Sequence, residues 1–331
     1  MKYKDQEVIA GGIKDYNNIT FSWSLIDVCQ FKCEYCYEGF GNPEHPVHSS
    51  NFLKDNKRLN VWNDVLARIE MLSHVHESFP ITVHLLGGEP TLHPDIYIII
   101  KKLCSIKNLQ RVSLITNLAK SFSFFSQFNS KEFEKLYIHA SIHFQYFKPE
   151  ALSKCVQLYR LDHINIKPCL ILHDDEKYWP RMLTCFQTCI DEGVDYTCLW
   201  LFSAHGYVPS LNNKFYEVFQ QYIDNASEGT PAYPRGDPEW SFTTNKGKIT
   251  LNQREVRQNN LNKFKGWSCR ALHYNIEFNG DFTHSCTEEK FPLEATSVTI
   301  LSDARSRVDK AIMCPCDECF IHLWDHERIK P

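Results

Sequence analysis

No stretch of this 331-residue chain stays apolar for long. Its longest apolar runs, such as Ile96 to Ile100, fall far short of the roughly 20 residues that cross a bilayer as a helix, so no membrane partner is expected. Nor does charge of one sign dominate. Thirty-six Lys and Arg stand against 40 Asp and Glu, a net charge of -4, which excludes a global basic field for nucleic acid or anionic lipid. The first residues, Met1-Lys2-Tyr3-Lys4-Asp5-Gln6-Glu7, lack the apolar core of a secretory signal. With no export signal the expected location is the cytoplasm. Internal repeats and low-complexity tracts are also absent.

What the chain has in quantity is cysteine, 14 in all. A reducing cytoplasm keeps thiols reduced, so uses other than disulfides are expected for them. Eight cluster towards the ends: Cys29, Cys33 and Cys36, then Cys269, Cys286, Cys314, Cys316 and Cys319. The other six, Cys104, Cys155, Cys169, Cys185, Cys189 and Cys198, are scattered, and most are expected to act as small buried hydrophobes.

At 43% hydrophobic content the chain is long enough for one large domain and a smaller one. Strand patterns at 19–25, 81–86, 111–116, 136–143, 163–172 and 194–203 alternate with helix patterns near 61–76, 95–106, 131–135, 149–159 and 176–192. Val61, Val65, Leu66, Ile69 and Leu72 form a helical stripe with Asn60 as its N-cap. Six such strands predict an α/β fold with a parallel sheet, too few for a closed eight-stranded barrel and right for a partial one. Within the strands, polar residues share a face: His139, Ser141 and His143; Asn165, Lys167 and Cys169; Ser113 and Asn117. A polar inner face predicts a wet, ligand-sized interior, against the alternative of an antiparallel sheet with one solvated side.

Three prolines and two glycines between Ala226 and Pro238 mark a linker. Beyond it, Thr244-Asn245-Lys246-Gly247 and Asn279-Gly280-Asp281 are hairpin signals. The expected organisation is a partial barrel over 15–225, a linker over 226–239 and a small antiparallel module over 240–331 that carries the second cysteine group.

Cys29, Cys33 and Cys36 are spaced C-x3-C-x2-C. Tetrahedral zinc and a closed four-iron cluster each want four ligands. Three close thiolates leave one iron of a [4Fe-4S] cluster open to a small molecule. A zinc knuckle completed by His45 or His48 is the alternative. With Tyr35 before Cys36, and with Gly87-Gly88-Glu89-Pro90 ending the second strand, this pattern resembles the radical S-adenosylmethionine (radical SAM) superfamily over roughly residues 19–205.

The resemblance implies a partial (β/α)6 barrel and a [4Fe-4S] cluster on Cys29, Cys33 and Cys36 that binds SAM. It implies reductive cleavage of SAM to a 5'-deoxyadenosyl radical, fed by a flavodoxin- or ferredoxin-type reductant. It makes Tyr35, Gly87, Gly88, Glu89, Pro90, Asn117 and Ser141 the cofactor contacts. The bare glycines allow close approach to the methionine amino group, Glu89 adds an acceptor, and Asn117 and Ser141 face the ribose.

Cys269 and Cys286 bracket the Gly280 hairpin, and Cys316-Asp317-Glu318-Cys319 adds a C-x2-C pair. This group resembles the twitch or SPASM-like auxiliary module. That resemblance implies a second [4Fe-4S] cluster on Cys269, Cys286, Cys316 and Cys319, with Cys314 as alternate ligand and zinc as alternative metal. Such a cluster would serve as electron sink in an oxidoreductase of dehydrogenase type. His143, Lys167, Cys169 and Arg270 are candidates for proton or hydrogen transfer and substrate anchoring. With fewer than twenty residues before the first barrel strand, a sugar or other small molecule is preferred to a peptide as substrate. A peptide maturase and a non-enzymatic iron–sulfur or zinc protein are the alternatives.

Overall fold

In the computed structural model, residues 8–12, 19–36, 59–75, 80–173, 175–200, 202–203, 206–207, 213–226, 240–251, 261, 268–269, 273–284, 290–291, 312–313 and 328–329 are described. The first strands are β1 (Val8–Gly12), β2 (Ile19–Ile26), β3 (Ile81–Gly87), β4 (Leu109–Thr116), β5 (Leu136–Ile142), β6 (Asn165–Leu172) and β7 (Thr197–Trp200). Then follow β8 (Phe202–Ser203), β9 (Gly206–Tyr207), β10 (Trp240–Thr244), β11 (Gly247–Leu251) and β12 (Ser268–Cys269). The last are β13 (His273–Ile276), β14 (Phe282–His284), β15 (Lys290–Phe291), β16 (Ile312–Met313) and β17 (Arg328–Ile329). The helices are α1 (Trp62–Val75), α2 (Ile96–Ser105), α3 (Phe122–Ser126), α4 (Pro149–Tyr159), α5 (Trp179–Asp191) and α6 (Asn213–Asp224).

Strands β2 to β7 lie side by side in sequence order, and every pair among them is parallel. That connectivity is the α/β parallel sheet expected of a partial barrel. The helices between the strands are held by apolar stripes. Ile96, Ile99, Ile100 and Leu103 of α2 are buried at helical spacing, as are Met182, Cys185, Phe186 and Cys189 of α5. Pro149 and Pro180 stand at helix starts, where a missing N–H costs nothing. All six scattered cysteines are buried free thiols, the bland role expected of most of them.

The expected strand over 194–203 is shorter, for a local reason. Gly193 takes φ +63, and Val194 N donates to Cys189 O at 2.8 Å. Residues 193–194 therefore close α5 as a Schellman-type cap instead of opening a strand. Pairing with β6 begins at Thr197, and Phe202–Ser203 leaves the sheet to pair with β9. The helix over 131–135 is a single 3-10 turn, Lys131–Phe133, and it follows α3, which is capped by the Ser121 hydroxyl.

The sheet does not end at β2. Strand β13 pairs with it in parallel, β14 returns antiparallel, and β15 follows. The hairpin loop is Phe278-Asn279-Gly280 with Gly280 at φ +86, and Glu277 N donates to Asp281 O at 2.9 Å. Tyr274 stacks on Phe21 and Phe282 packs edge-on against it, so the hairpin shares the barrel's core. A second sheet has the order β11-β10-β1-β17-β12-β16 and joins the N-terminal strand to the C-terminal segments. None of the described helices is long and apolar enough to cross a membrane.

Candidate cofactor site

The cysteine triplet follows the carboxyl end of β2 and is held from two sides. On one side runs the end of β3. Gly88 N donates to Ile26 O at 2.7 Å and Glu89 N to Val28 O at 2.8 Å, which continues the ladder up to Cys29. A Cβ at Gly88 would lie 2.2 Å from Val28 O, and one at Gly87, whose φ is +112, would lie 2.4 Å from Ile26 O. Both glycines are therefore required by contact with the cysteine strand's own backbone. That is a different physical reason from the bare approach surface expected of them.

Glu89 is fully buried. Its Oε1 accepts from Thr91 N at 3.1 Å, Thr91 Oγ1 at 2.5 Å and Thr116 Oγ1 at 2.6 Å; its Oε2 accepts from Asn117 N at 2.7 Å. Burial pushes its pKa up, and these hydrogen bonds oppose the shift. The carboxylate thus ties the end of β3 to the end of β4, and Pro90 begins the 3-10 turn that it caps. Asn117 Nδ2 in turn lies 3.8 Å from Cys29 Sγ, and Asn117 Oδ1 accepts from Gln30 Nε2 and from Ala119 N. The next residue, Leu118, sits at φ +56, strained for a residue with a side chain. Lys154 of α4 braces that turn, donating to Leu118 O at 2.8 Å and Lys120 O at 2.6 Å.

On the other side, the turn after β5 grips the loop. His143 Nδ1 lies 3.5 Å from Cys33 Sγ and 3.1 Å from the Tyr35 hydroxyl. Tyr146 OH accepts from Lys32 N at 3.0 Å and donates to Lys32 O at 2.8 Å, while its ring stacks on Phe31 at 4.5 Å. Gln145 Oε1 accepts from Glu34 N. Phe31, Gln145 and Tyr146 were not singled out from the sequence. The aromatic run Phe144-Gln145-Tyr146-Phe147 directly after a strand was their one available signal. His173, edge-on to the Tyr35 ring at 5.6 Å, was missed as well.

Burial first, then the nearby charge of Glu89 and Cys36, pushes the Cys29 thiol up to about 11; burial, then Cys29 and Cys36, pushes the Cys33 thiol up to about 12. Burial likewise pushes Tyr35 upward and His143 down to about 4, so both are neutral. Among the described residues, no three His, Cys, Asp or Glu side chains converge to hold a single metal ion. Three cysteine side chains held close together on one braced loop at the carboxyl edge of the sheet are a donor set that suits an iron–sulfur cluster. The residues present therefore fit an iron–sulfur cluster.

The remaining candidates separate. Ser141, Lys167 and Cys169 line one face of the sheet, with Ser141 in register with Cys169. Cys169 is buried, accepts from Thr197 Oγ1 at 3.1 Å and lies 3.8 Å from His139 Nδ1. The polar face is real, but His84, Ser113, His139 and Cys169 on it are buried, drier than a wet interior would make them. Cys269 lies in β12, whose backbone pairs Cys269 with Ile312 of β16, two positions before Cys314. Arg270, Cys286, Cys314, Cys316 and Cys319 lie outside the described residues, as do His45, His48 and most of the linker.

Residues 23–155 match the family model described as Radical SAM superfamily. Among curated proteins, the chain is similar to GTP 3',8-cyclase of Synechococcus elongatus, 30% identical over 98 residues, which are 28% of this chain and 25% of that one. It is also similar to GTP 3',8-cyclase of Mannheimia succiniciproducens, 34% identical over 95 residues, 28% of this chain and 24% of that one. The chain thus spans about a quarter of the length of the curated relatives it matches. Among solved structures, Streptococcus suis SuiB bound to S-adenosylmethionine superposes with a TM-score of 0.51 at 14% identity, over 87% of this chain and 64% of that one, a likeness of fold. The cysteine triplet and the Gly-Gly-Glu-Pro segment both fall inside the matched residues, so residues 23–155 of this chain carry a radical SAM domain.

Proposed function

We propose that the protein is a radical SAM enzyme that abstracts a hydrogen atom from an organic small molecule. The observation that carries this reading is the clamped loop of Cys29, Cys33 and Cys36 at the carboxyl edge of the parallel sheet. When bound there, a [4Fe-4S] cluster and SAM supply reductive cleavage of the sulfonium to a 5'-deoxyadenosyl radical. The chain's own residues position and insulate. Gly87 and Gly88 set the loop's height on the sheet, and Tyr146 and Gln145 fix its backbone. Tyr35, Asn117 and Ser141 are the side chains offered to the nucleoside. His143 lies against Cys33 and the Tyr35 hydroxyl and so holds that side of the cysteine loop.

A small-molecule substrate is favoured by the relatives named GTP 3',8-cyclase. An oxidative outcome, assisted by a second cluster on Cys269, Cys286 and two of Cys314, Cys316 and Cys319, belongs to the same proposal. The pairing of Cys269 with the strand that leads to Cys314 supports it.

The test is anaerobic reconstitution with dithionite and SAM, assayed for 5'-deoxyadenosine. Product well above a Cys33→Ala control is expected, together with about eight irons per chain. No product above the control would overturn the radical reading. About four irons would remove the second cluster and leave the first.

A further inference from the structure

Side chains from two distant segments meet at one sulfur of the cysteine loop. Cys33 is buried, and its Sγ lies 3.5 Å from Nδ1 of His143, the residue that follows β5. The same Nδ1 lies 3.1 Å from the Tyr35 hydroxyl, and Tyr35 is in turn a hydrogen-bond partner of Cys33. Packing holds this triangle. The Tyr35 ring lies 17° from parallel to the imidazole with centroids 6.0 Å apart, and Phe31 meets the imidazole edge-on. His173 packs edge-on against the Tyr35 ring, and Tyr178 lies against His173 at 4.4 Å. Tyr146 N donates to His143 O at 2.9 Å, which fixes where the imidazole leaves the chain.

The count of hydrogens decides which group donates. A cysteine sulfur that ligates iron carries no proton, so it can only accept. A neutral imidazole has one proton for two nitrogens, and the phenol has one of its own. If the phenol gave its hydrogen to Nδ1, a nitrogen lone pair would face the sulfur with nothing between them. With the proton on Nδ1, the N–H serves the sulfur and the phenol oxygen, and the phenol O–H is left for the same sulfur. Burial makes each of these bonds electrostatically stronger than it would be in water.

We propose that His143, seconded by Tyr35, donates a hydrogen bond to the Cys33 sulfur and so raises the reduction potential of the cluster held by the triplet. This rests on the radical SAM reading and deepens it by assigning the groups that regulate electron entry at that site. A donor on a ligand sulfur stabilises the extra negative charge of the reduced cluster more than the oxidised state. The step is the gain of one electron from the flavodoxin- or ferredoxin-type reductant, with no proton moved and no bond broken. His143 is then a positioning residue, a different use of the imidazole from the proton transfer expected of it.

The test is a redox titration of the anaerobically reconstituted protein, followed by EPR and without SAM. The triplet's signal is the one that Cys33→Ala loses. His143→Phe keeps a ring and removes the donor. At the potential where half of the wild-type cluster is reduced, its ratio of reduced to oxidised cluster should fall about tenfold, a shift of about 59 mV for one electron. Tyr35→Phe should move the potential the same way by less. His143→Asn, whose amide reaches the Nδ1 position, should restore most of the wild-type value. A merely structural role predicts less iron, with an unmoved potential in whatever cluster remains. Should His143→Phe hold no cluster, the wild type decides: grown on histidine labelled with heavy nitrogen and then reduced, it should show weak coupling of a histidine nitrogen in the triplet's pulsed EPR signal. An unmoved or raised potential in His143→Phe, no recovery in His143→Asn, or no histidine coupling overturns the proposal. Normal 5'-deoxyadenosine formation with an unmoved potential sinks this inference alone. A shifted potential without 5'-deoxyadenosine sinks the radical reading alone.

Discussion

His139 shows how one residue couples the barrel interior to pH. Its pKa of about 3 in the folded chain lies below the ordinary 6.5, so the unfolded chain takes up the proton more readily. The stability it contributes is therefore complete above pH 6.5 and is lost as pH falls towards 3. By pH 5 the loss is about 2 kcal/mol. A His139→Gln variant has no such proton to gain. Urea unfolding at pH 7.5 and pH 5 should show the wild type losing about 2 kcal/mol more than the variant over that interval. Parallel pH profiles would mean that the imidazole is solvated and that the barrel interior is wet after all. At the same scale, the Gly-Gly-Glu-Pro segment was legible in the sequence as a motif but not as a mechanism. In the fold, Gly88 is pressed against Val28 and Glu89 joins two strand ends, contacts that local sequence does not encode.

Among the elements, α4 acts on the site from behind. Lys154 reaches out of the helix to two carbonyls of the turn that carries Asn117, and burial lowers its pKa. The turn contains Leu118 at positive φ, a conformation that costs of order 1–3 kcal/mol and persists only when its surroundings enforce it. Lys154→Met keeps the aliphatic stem and removes both hydrogen bonds. The expected result is a severalfold higher KM for SAM with the iron content unchanged, since Asn117 loosens while the cysteine loop keeps its other supports. Iron loss in parallel with the KM change would instead make the turn part of the cluster's own scaffold. Elements of this kind were readable where periodicity is strong: α4 was expected at 149–159 and is found there. The stripe of Phe215 and Phe219 in α6 was equally available and was passed over, because no strand-like pattern follows it to make it a crossover.

At the scale of the molecule, the C-terminal hairpin is part of the barrel and not an appendage. A linker followed by hairpin signals reads naturally as a separate module, because local sequence does not say which edge a strand will join. The partner of β13 is β2, more than 240 positions earlier, and such a long-range pairing leaves no periodic trace. Tyr274 is buried against Phe21, Phe282 packs on the same ring, and Arg68 of α1 covers Phe282 at 5.7 Å. The hairpin thereby seals the β2 edge, the strand whose end delivers Cys29. Removing an aromatic side chain from such a site typically costs about 3–5 kcal/mol through lost burial and the cavity left behind. Tyr274→Ala in the full chain should therefore lower the thermal midpoint of the whole protein in one transition, and iron loading on the N-terminal triplet should fall with it. Helical ellipticity would report on the barrel, and amide hydrogen exchange of β10 and β11 on the second sheet. If the two probes separate, with the helices melting as in the wild type, the hairpin only rests on the barrel. If they move together, the edge strand that closes the sheet also holds the cysteine loop in place.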